Sequence, residues 1–463
     1  MKTRFWLPLL ALCAASCDSE DMPNVFSLHD NNCTLIVDNG TLTPIPNITL
    51  LSSYNWTASV SESLKSLISI SATQGEAGVS TIRLTPSDQI LSAYNPAKPH
   101  LGSIFFHAQG LSLEYKIFLY GSGDGTPAAP FIIATPEQMD KLREDMGAHY
   151  LLIADLVLKN WVPIESFDAI PSVFVGKLNG NGHKITIQSF GTVPPTTSGG
   201  RTQYRYGLFG NIGNGGKVHD LNVHIDNITV TLPDGASTAW GLFGGITAYI
   251  EAGNGSIERC AVTGSINLNW EGDQNAYAGG IAAWNNGGAI QDVYTTATVE
   301  TTSLPSSAFY SAYVGGIVGY HDGSITRAYA TGKIKALNGS YNHAGGIAGY
   351  SVNAGLITAC VALNTEVVAS GGMGQNFHHR IIGYGNNAKL ENHYASDQMK
   401  DAQGSTTAWD RIGLNKWSGE SISQNQWSSK TWWTNTANWG SYPWDFTNTW
   451  TFSDGYPRLK GPL

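Results

Sequence analysis

The sequence predicts an all-β chain in which a sandwich of short strands is followed by a right-handed parallel β-solenoid with a Trp-rich C-terminal cap. Its 463 residues include 53 Gly, 14 Trp and 20 Tyr, whereas only 13% are charged. Gly tolerates positive φ and aromatic residues favour strands, so this composition is typical of short strands joined by tight turns. A Gly-framed apolar tetrapeptide recurs through the middle of the chain, and eight of the 14 Trp lie between Trp409 and Trp450.

Residues 1–16 have the pattern of a lipoprotein signal peptide. Lys2 and Arg4 precede an apolar run that is too short to span a bilayer. Small residues precede Cys17, which resembles the lipobox in which a Cys is lipidated and becomes the mature N-terminus. The acidic tether of residues 17–24 resembles the tag that sends some lipoproteins to the outer face of the outer membrane, the alternative being a solvated linker. We expect a lipid-anchored protein at the surface of a Gram-negative cell.

The net charge argues against a nucleic-acid partner. The formal charge of the whole chain is −9, and loss of the two basic residues of the leader leaves 24 basic residues against 35 acidic ones. An acidic chain without a cluster of Lys and Arg lacks the electrostatic footprint that nucleic-acid binding requires.

Three cysteines remain after removal of the leader and lipidation of Cys17, namely Cys33, Cys260 and Cys360. They are too few and too far apart to form a disulfide framework, and the sequence contains no Cys-x-x-Cys pair that would indicate zinc. We expect them to be reduced and buried, as small hydrophobic residues.

Residues 25–125 read as a sandwich, because short alternating segments are separated by Gly, Pro and Asn. Residues 55–60, followed by residues 68–71 and Gly75, resemble a BACON-type immunoglobulin-like module. Carbohydrate or mucin attachment is the role proposed for that family. Trp56 is expected to be a core residue of the sandwich, and a sugar-binding position is the alternative.

A single helix is predicted over residues 136–146. Thr135 and Gln138 have the spacing of a capping box, in which each side chain bonds the backbone of the other residue. Pro136 suits the first helical position, and Glu137 suits the positive end of the helix dipole.

Residues 130–400 are predicted to form the solenoid. A Gly-framed apolar tetrapeptide recurs at intervals of 30 to 39 residues, which indicates one structural unit per repeat. Its copies begin at Gly207, Gly241, Gly280, Gly316, Gly346 and Arg380. Each copy is followed by an apolar residue and, three positions later, by a second residue that is expected to point inward: Val218 and Leu221, Ile257 and Cys260, Ile290 and Val293, Ile325 and Ala328, Ile357 and Cys360, Leu390 and His393.

This two-part pattern, GLFG-like and then I-x-x-C-Y-A-T-G-like, resembles the GLUG motif. The string FVGKLNGNGHKITI of residues 174–187 also resembles the opening coils of GLUG-motif surface proteins. A short strand framed by Gly cannot bury its inward face alone, so successive copies are expected to stack with strands about 4.8 Å apart. The resemblance implies an adhesin-like surface protein.

Each repeat needs a corner between its two inward residues. Asp220, Arg259, Asp292 and Arg327 occupy that gap and are expected to lie outside the corner. Because their charges alternate down the stack, we expect a ladder of weak surface pairs, each contributing about 0 to 1 kcal/mol.

Residues 401–463 are predicted to form the cap. Their ending, residues 444–459, resembles the closing segment that follows GLUG repeats. A solenoid leaves the edge of its last coil uncovered, so an aromatic-rich segment is expected to bury it.

The sequence offers little for catalysis, and we expect neither enzyme activity nor a cofactor or metal. It lacks a nucleophile elbow, a His-Glu-x-x-His helix, a phosphate-binding loop and a calcium loop. The GLUG motif also occurs in large secreted IgA-type peptidases, but their zinc site requires the two-His helix. A polysaccharide lyase or glycoside hydrolase remains the enzymatic alternative, and a hydrolase would need a pair of carboxylates. The repeats offer few acids for this role, and the candidates are Asp220, Glu258, Asp292, Asp322 and Glu391.

The sequence offers better candidates for ligand binding than for catalysis. They are two sets of aromatic residues, one after each half of the repeat. The first set is Trp284, Tyr320, Tyr350 and Tyr384, and the second is Tyr294, Tyr329 and Tyr394. Ile281, Ile317, Ile347 and Ile381 must fill the core, so alternation places the first set on the outer face unless a Gly-induced corner reverses it. Such rows suit sugars or proteins, although aromatic ladders also stabilise solenoids without any ligand.

We therefore predict an adhesin or glycan-binding protein whose partner is a glycan or a host or cell-surface protein. A structural stalk or assembly subunit of a surface complex is the alternative, and the polysaccharide lyase or glycoside hydrolase is the second alternative.

Overall fold

The structure is a computed structural model that describes residues 25–38, 41–95, 98–165, 173–198, 201–232, 239–270, 275–303, 311–353, 355–372 and 374–461. The chain forms two compact units, Met1–Ile132 and Ile133–Leu463. Cys17 and the acidic tether lie outside the described residues. None of the helices in these ranges has the length and apolar character that a membrane span requires.

The first unit is a β-sandwich. One sheet is antiparallel and contains Phe26–Leu28, Ile48–Ser52 and Gly78–Ile82. The other runs in the order Thr41–Leu42, Asn32–Asp38, Leu111–Gly121, His100–Ala108, Trp56–Val60 and Gln74–Gly75. A separate pair joins Ile68–Ile70 to Leu84–Pro86, and a 3-10 turn spans Leu91–Ala93. The core lies between the sheets and is closely packed with aliphatic and aromatic side chains.

Trp56 is a core residue, as predicted. Its ring packs edge-on against Phe106 at 5.7 Å, and its indole N–H donates to the Ser80 hydroxyl at 3.1 Å. A Cβ atom on Gly75 would lie 2.5 Å from the indole, so the neighbouring strand must carry Gly there. Trp56 and Gly75 therefore pack directly against each other on neighbouring strands.

The predicted helix is shorter than expected. The capping box of Thr135 and Gln138 is present, but the α-helix spans only Pro136–Asp140 and continues as a 3-10 turn over Lys141–Arg143. Met139 and Leu142 are both buried and lie three residues apart, the spacing of a 3-10 turn, so the tighter winding keeps both in the core.

The second unit is a parallel β-solenoid built from three sheets, named S1, S2 and S3. S1 contains Phe131–Ile133, His149–Leu152, Leu156–Leu158, Lys177–Asn179, Lys184–Ile187, Lys217–Thr231, Ser256–Trp270, Ala289–Thr295, Thr298–Ser303, Ser324–Ala330, Ile334–Leu337, Leu356–Thr358, Val361–Ala362, Val367–Ser370, Lys389–Glu391, Tyr394–Ser396 and Glu420–Ile422. S2 contains Thr196–Ser198, Arg201–Tyr206, Trp240–Gly244, Ala276–Gly279, Ser311–Gly315, Tyr341–Gly345 and Asn376–His379. S3 contains Phe209–Ile212, Thr247–Ile250, Ala282–Asn285, Val318–His321, Ala348–Ser351 and Ile382–Gly385.

The repeats stack in the predicted register. Ile257 pairs with Ile290, and Ile325 pairs with both Ile290 and Ile357, so equivalent aliphatic residues form one buried column. Cys260 and Cys360 are free and fully buried, and Cys33 is free and buried in the sandwich. The predicted inward positions of the two solenoid cysteines are confirmed.

The corner residues do not form a ladder of weak surface pairs. Asp220, Arg259, Asp292 and Arg327 all have φ between 47° and 54°, a left-handed conformation that lets two successive residues point outward. They form two separate bidentate pairs, Arg259 with Asp220 and Arg327 with Asp292, each through contacts of 2.6 and 2.7 Å. The second pair is the more buried, because the C-terminal segment covers it and Trp450 donates its indole N–H to Asp292 at 3.1 Å.

The first part of the predicted cap covers the last coil. Glu420–Ile422 extends S1, and the Trp417 carbonyl accepts the amides of Ile381 and Ile382 at 2.9 and 3.1 Å. The rings of Trp409 and Trp417 pack on His378 and Tyr384 of the same coil, but the hydrogen bonds that an open edge needs come from the backbone. The rest of the Trp-rich segment contains helices Gln424–Trp427, Lys430–Thr434 and Thr436–Asn438 and the hairpin of Trp450–Ser453 with Tyr456–Leu459, and it packs on the outer face of S1.

Candidate functional site

The Gly residues of the repeat bring S2 and S3 into close contact. In one coil, Ala276–Gly279 of S2 is followed by the turn residues Gly280 and Ile281 and then by Ala282–Asn285 of S3. A Cβ atom on Gly279 would lie 2.0 Å from the Ala282 carbonyl oxygen, and one on Gly280 would lie 2.1 Å from that of Gly316 in the next coil. The turn apolar residues fill the core, as predicted, and are fully buried: Ile281, Ile317, Ile347 and Ile381.

Two rows of side chains meet along this Gly-lined turn. The S2 row, in register, is Leu242, Tyr277, Tyr313, His343 and Phe377. The S3 row is Tyr249, Trp284, Tyr320, Tyr350 and Tyr384. Ring centroids across the rows lie 5.4 Å apart for Tyr313 and Tyr320 and 4.7 Å apart for Phe377 and Tyr384. We call the two rows together the aromatic seam.

The S3 row is half-buried rather than an open set of ring faces. Successive centroids from Trp284 through Tyr320 and Tyr350 to Tyr384 are 5.0, 5.3 and 5.4 Å apart. The last three rings are nearly parallel, with interplanar angles of 15° and 18°. Each ring therefore covers the face of the next, and the edges with their hydroxyl groups remain for a ligand.

Hydroxyl groups differ between positions in the seam. Tyr249 accepts from Asn286 at 2.9 Å, and Tyr277 accepts from Asn275 at 3.0 Å. Within the part of the chain that the structure describes, no hydrogen bond reaches the hydroxyl groups of Tyr320, Tyr350 and Tyr384. These three phenols are available to an external partner.

Burial raises the pKa of two of these phenols, Tyr320 and Tyr350. It raises the pKa of Tyr320 to about 12, and the neighbouring phenols of Tyr313 and Tyr350 and the charge of Asp322 act in the same direction. Burial also raises the pKa of Tyr350, and Tyr384 adds to the effect. At neutral pH each hydroxyl can therefore both donate and accept a hydrogen bond.

A guanidinium lies over an indole at each end of the seam. Arg201 is 4.7 Å from the centroid of Trp240, whose ring contacts Trp284 at 5.3 Å. Arg411 is 3.9 Å from the centroid of Trp417, whose ring contacts Tyr384 at 5.3 Å. Each guanidinium therefore covers a face of the indole that flanks the seam, beside Trp284 at one end and beside Tyr384 at the other.

The second predicted aromatic set lies beneath the Trp-rich segment. Tyr329 is fully buried and donates to the Pro457 carbonyl at 2.7 Å, and Tyr394 donates to the Asn438 carbonyl at 3.1 Å. Tyr294 is half-buried and stacks on Tyr329 at 5.1 Å. The structure thus separates the two sets and leaves only the first within reach of a large ligand.

Most of the acids considered for catalysis have structural partners. Asp220 and Asp292 bind the two corner guanidiniums, and Glu258 accepts from Lys217 at 2.6 Å. Asp322 accepts from Asn353 at 2.8 Å. In the described ranges, no three His, Cys, Asp or Glu residues are grouped so that they could hold a metal ion.

Sequence reasoning missed the S2 row, although a signal was present. Tyr277, Tyr313, His343 and Phe377 each lie four residues before the buried Ile of their turn. The mixture of Tyr, His and Phe hid this constant spacing.

The matches to known sequences cover little of the chain. Residues 310–335 match the GLUG motif family. A protein of Evansella cellulosilytica, provisionally named a Gly-rich membrane protein, is 32% identical over 123 residues, which are 24% of this chain and 13% of that protein. The chain thus spans about an eighth of the length of this curated relative.

Two solved structures are similar in outline. A provisionally assigned immunoglobulin A1 protease of Bacteroides ovatus is 20% identical, with a TM-score of 0.49 over 73% of this chain and 94% of that one. A structure named IgA1 Protease is 14% identical, with a TM-score of 0.30 over 87% of this chain and 26% of that one. Likenesses at this level carry no information on activity.

Proposed function

We propose that this chain is a non-catalytic attachment protein that binds a glycan along the aromatic seam. The half-buried S3 row supports the proposal, because it holds three neighbouring phenols to which none of the described residues is hydrogen-bonded. Aromatic residues with polar tips suit ligands that present both apolar and hydroxyl groups, as sugars do.

The rigidity of the seam favours binding. Tyr320 contacts Trp284, Tyr313 and Tyr350, so its side chain is already fixed before any ligand arrives. A preorganised side chain loses little conformational entropy on binding, whereas an exposed flexible one loses about 0.5 to 1.5 kcal/mol.

Catalysis has less support, because Asp220, Glu258, Asp292 and Asp322 are engaged with neighbouring side chains. A glycoside hydrolase or lyase would need acids that face a substrate. These four carboxylates instead join adjacent coils.

Retention of the protein on immobilised polysaccharides and mucin tests the proposal. The wild-type protein should be retained without releasing sugar products. Tyr350→Ala should lower retention at least fivefold, which corresponds to a loss of about 1 kcal/mol in binding free energy. Tyr94→Ala, at an exposed position of the sandwich, is the matched control and should behave as wild type. Product release that survives Tyr350→Ala would replace the proposal by an enzymatic function at another site.

The proposal includes a lipid anchor at Cys17 in the outer membrane. The name of the Evansella relative is compatible with a membrane-associated location. Cys17→Ala should move the protein from the detergent phase to the aqueous phase on phase separation. Continued partitioning into detergent would contradict the anchor and leave the binding proposal untouched.

A further inference from the structure

We infer that the ligand of the seam is a neutral, extended polysaccharide that lies parallel to the solenoid axis and is bound edge-on by the hydroxyl groups of Tyr320, Tyr350 and Tyr384. The inference rests on the proposed function and specifies the ligand class and its direction. We call these three hydroxyl groups the phenol ladder.

The ladder is regular because its three strands pair in register. Tyr320 is the strand partner of Tyr350, and Tyr350 is the partner of Tyr384. The rings are nearly parallel and their centroids are 5.3 and 5.4 Å apart, so the three side chains repeat at nearly one spacing along the axis. The ladder begins at Tyr320, because Trp284 is tilted by 55° and has a buried indole N–H with no hydrogen-bond partner among the described residues.

The buried faces of the rings determine how a sugar can be recognised. Stacking of a sugar on an aromatic face would require an open face, but each ring of the ladder covers its neighbour. The outward groups are phenol hydroxyls, which both donate and accept hydrogen bonds. A polyol matches this pattern, since each of its hydroxyl groups also has both capacities.

The charge around the ladder favours a neutral ligand. Asp322 lies close enough for its charge to raise the pKa of Tyr320. The guanidiniums of Arg201 and Arg411 are engaged with indole rings at the ends of the seam. An anionic polysaccharide would therefore meet repulsion from Asp322 without a cation among the three phenols.

The spacing of the ladder favours an extended sugar chain over a peptide. An extended peptide advances about 3.3 Å per residue, so the length of neither one residue nor two matches the spacing of successive rings in the ladder. A pyranose chain linked through equatorial bonds at opposite ends of each ring advances by about one ring length per unit, which is close to one coil. A coiled α-linked chain curves away from a straight row.

The test is calorimetric titration of the full chain with oligosaccharides of two to six units. The probes are β-1,4-linked glucose, xylose, mannose and N-acetylglucosamine series, with α-1,4-linked glucose as the comparison. Affinity for at least one β-1,4 series should rise with the length of the oligosaccharide until it reaches all three hydroxyl groups of the phenol ladder, and should then level off. Tyr350→Phe should lower that affinity about three- to tenfold, the effect of one lost hydrogen bond, with an unchanged melting temperature. Tyr94→Phe should have no effect.

Three results would overturn the inference: no binding of any β-1,4 series, equal affinity for the α-linked chains, or full affinity of Tyr350→Phe. The outcomes also separate the inference from the proposed function. If Tyr350→Ala loses retention on immobilised polysaccharide while Tyr350→Phe binds normally, the seam binds a glycan by contact with ring edges, and the ladder is wrong. If neither variant changes retention, the seam is not the binding surface.

Discussion

Asp292 connects two distant parts of the chain through one carboxylate. It accepts two hydrogen bonds from Arg327 of the next coil and one from the indole of Trp450 in the C-terminal segment. A buried charge that loses its partner is strongly destabilising, whereas an exposed pair contributes little. The two corner pairs of the solenoid therefore differ in energy although they share one geometry.

Asp292→Asn should lower the free energy of unfolding by about 3 kcal/mol, because it leaves the Arg327 guanidinium buried without a counter-charge. Asn tolerates the left-handed backbone of this position, so the change isolates the charge. Asp220→Asn is the matched control, since its pair with Arg259 is more exposed, and it should cost about 1 kcal/mol. Equal losses in urea denaturation would show that the contact with Trp450 does not strengthen the second pair.

Burial also controls the chemistry of the cysteines. It raises the pKa of Cys260 and Cys360 to about 12, so the thiols stay protonated at neutral pH. We predict that a maleimide at pH 7.5 labels neither residue in the folded protein and labels both in guanidinium chloride. Mass spectrometry after brief labelling is the measurement, and rapid labelling of the native state would contradict the register of S1.

At the scale of elements, the Gly residues of the repeat act through backbone contact between coils. A Cβ atom on Gly316 would lie 2.0 Å from the Gly346 carbonyl oxygen, a distance that no rotamer change can relieve. Gly316→Ala should therefore lower the free energy of unfolding by about 3 kcal/mol. Gly461→Ala, where a Cβ would contact nothing within 4 Å, should leave the melting temperature unchanged. A stable Gly316→Ala protein would mean that adjacent coils can separate at this turn without cost.

The Trp-rich segment is a second element with a testable role. Trp433 is fully buried against Tyr329, Trp439 and Trp444, and its indole donates to the Trp427 carbonyl at 2.6 Å. Trp433→Ala should lower the free energy of unfolding by about 3 to 5 kcal/mol. Trp427→Ala, at a half-buried position, should lower it by less. Glycan retention should not change, because the segment packs on S1 and the seam lies on S2 and S3. Lost retention with intact folding would place the binding surface under this segment.

The sequence predicts the elements in which every repeat must meet the same physical requirement, which is to fill the core of the solenoid. The aliphatic columns of S1 and the buried turn residues, such as Ile317, follow from strands that must fill a common core. The packing of Trp433 on S1 could not be predicted, because hydrophobicity indicates that this residue is buried but not which surface buries it. The two-row packing of the seam depends on the separation of S2 and S3, which only the contacts of residues such as Gly279 define.

At the scale of the whole molecule, equivalent positions in successive coils of a solenoid line up, so their side chains form a row along the axis. Each coil contacts mainly its neighbours, so a residue type retained at one position is displayed at regular spacing along the axis. Such a surface suits a partner that is itself a repeat. The sequence identified the S3 row as a candidate surface, but it could not show that the ring faces are closed and that the hydroxyl groups of Tyr320, Tyr350 and Tyr384 remain open.

Hydroxyl-radical footprinting, followed by mass spectrometry, tests the central claim most directly, because radical oxidation of a ring depends on its access to solvent and not on ionisation of its hydroxyl group. We predict that Tyr320, Tyr350 and Tyr384 are oxidised in the free protein and are protected when it is saturated with the polysaccharide that retains it best. Tyr94 and Tyr341, which are 37% and 43% exposed, should be oxidised equally in both states. Equal oxidation of the three seam tyrosines in the free and the saturated protein would contradict the assignment of the seam as the glycan-binding surface.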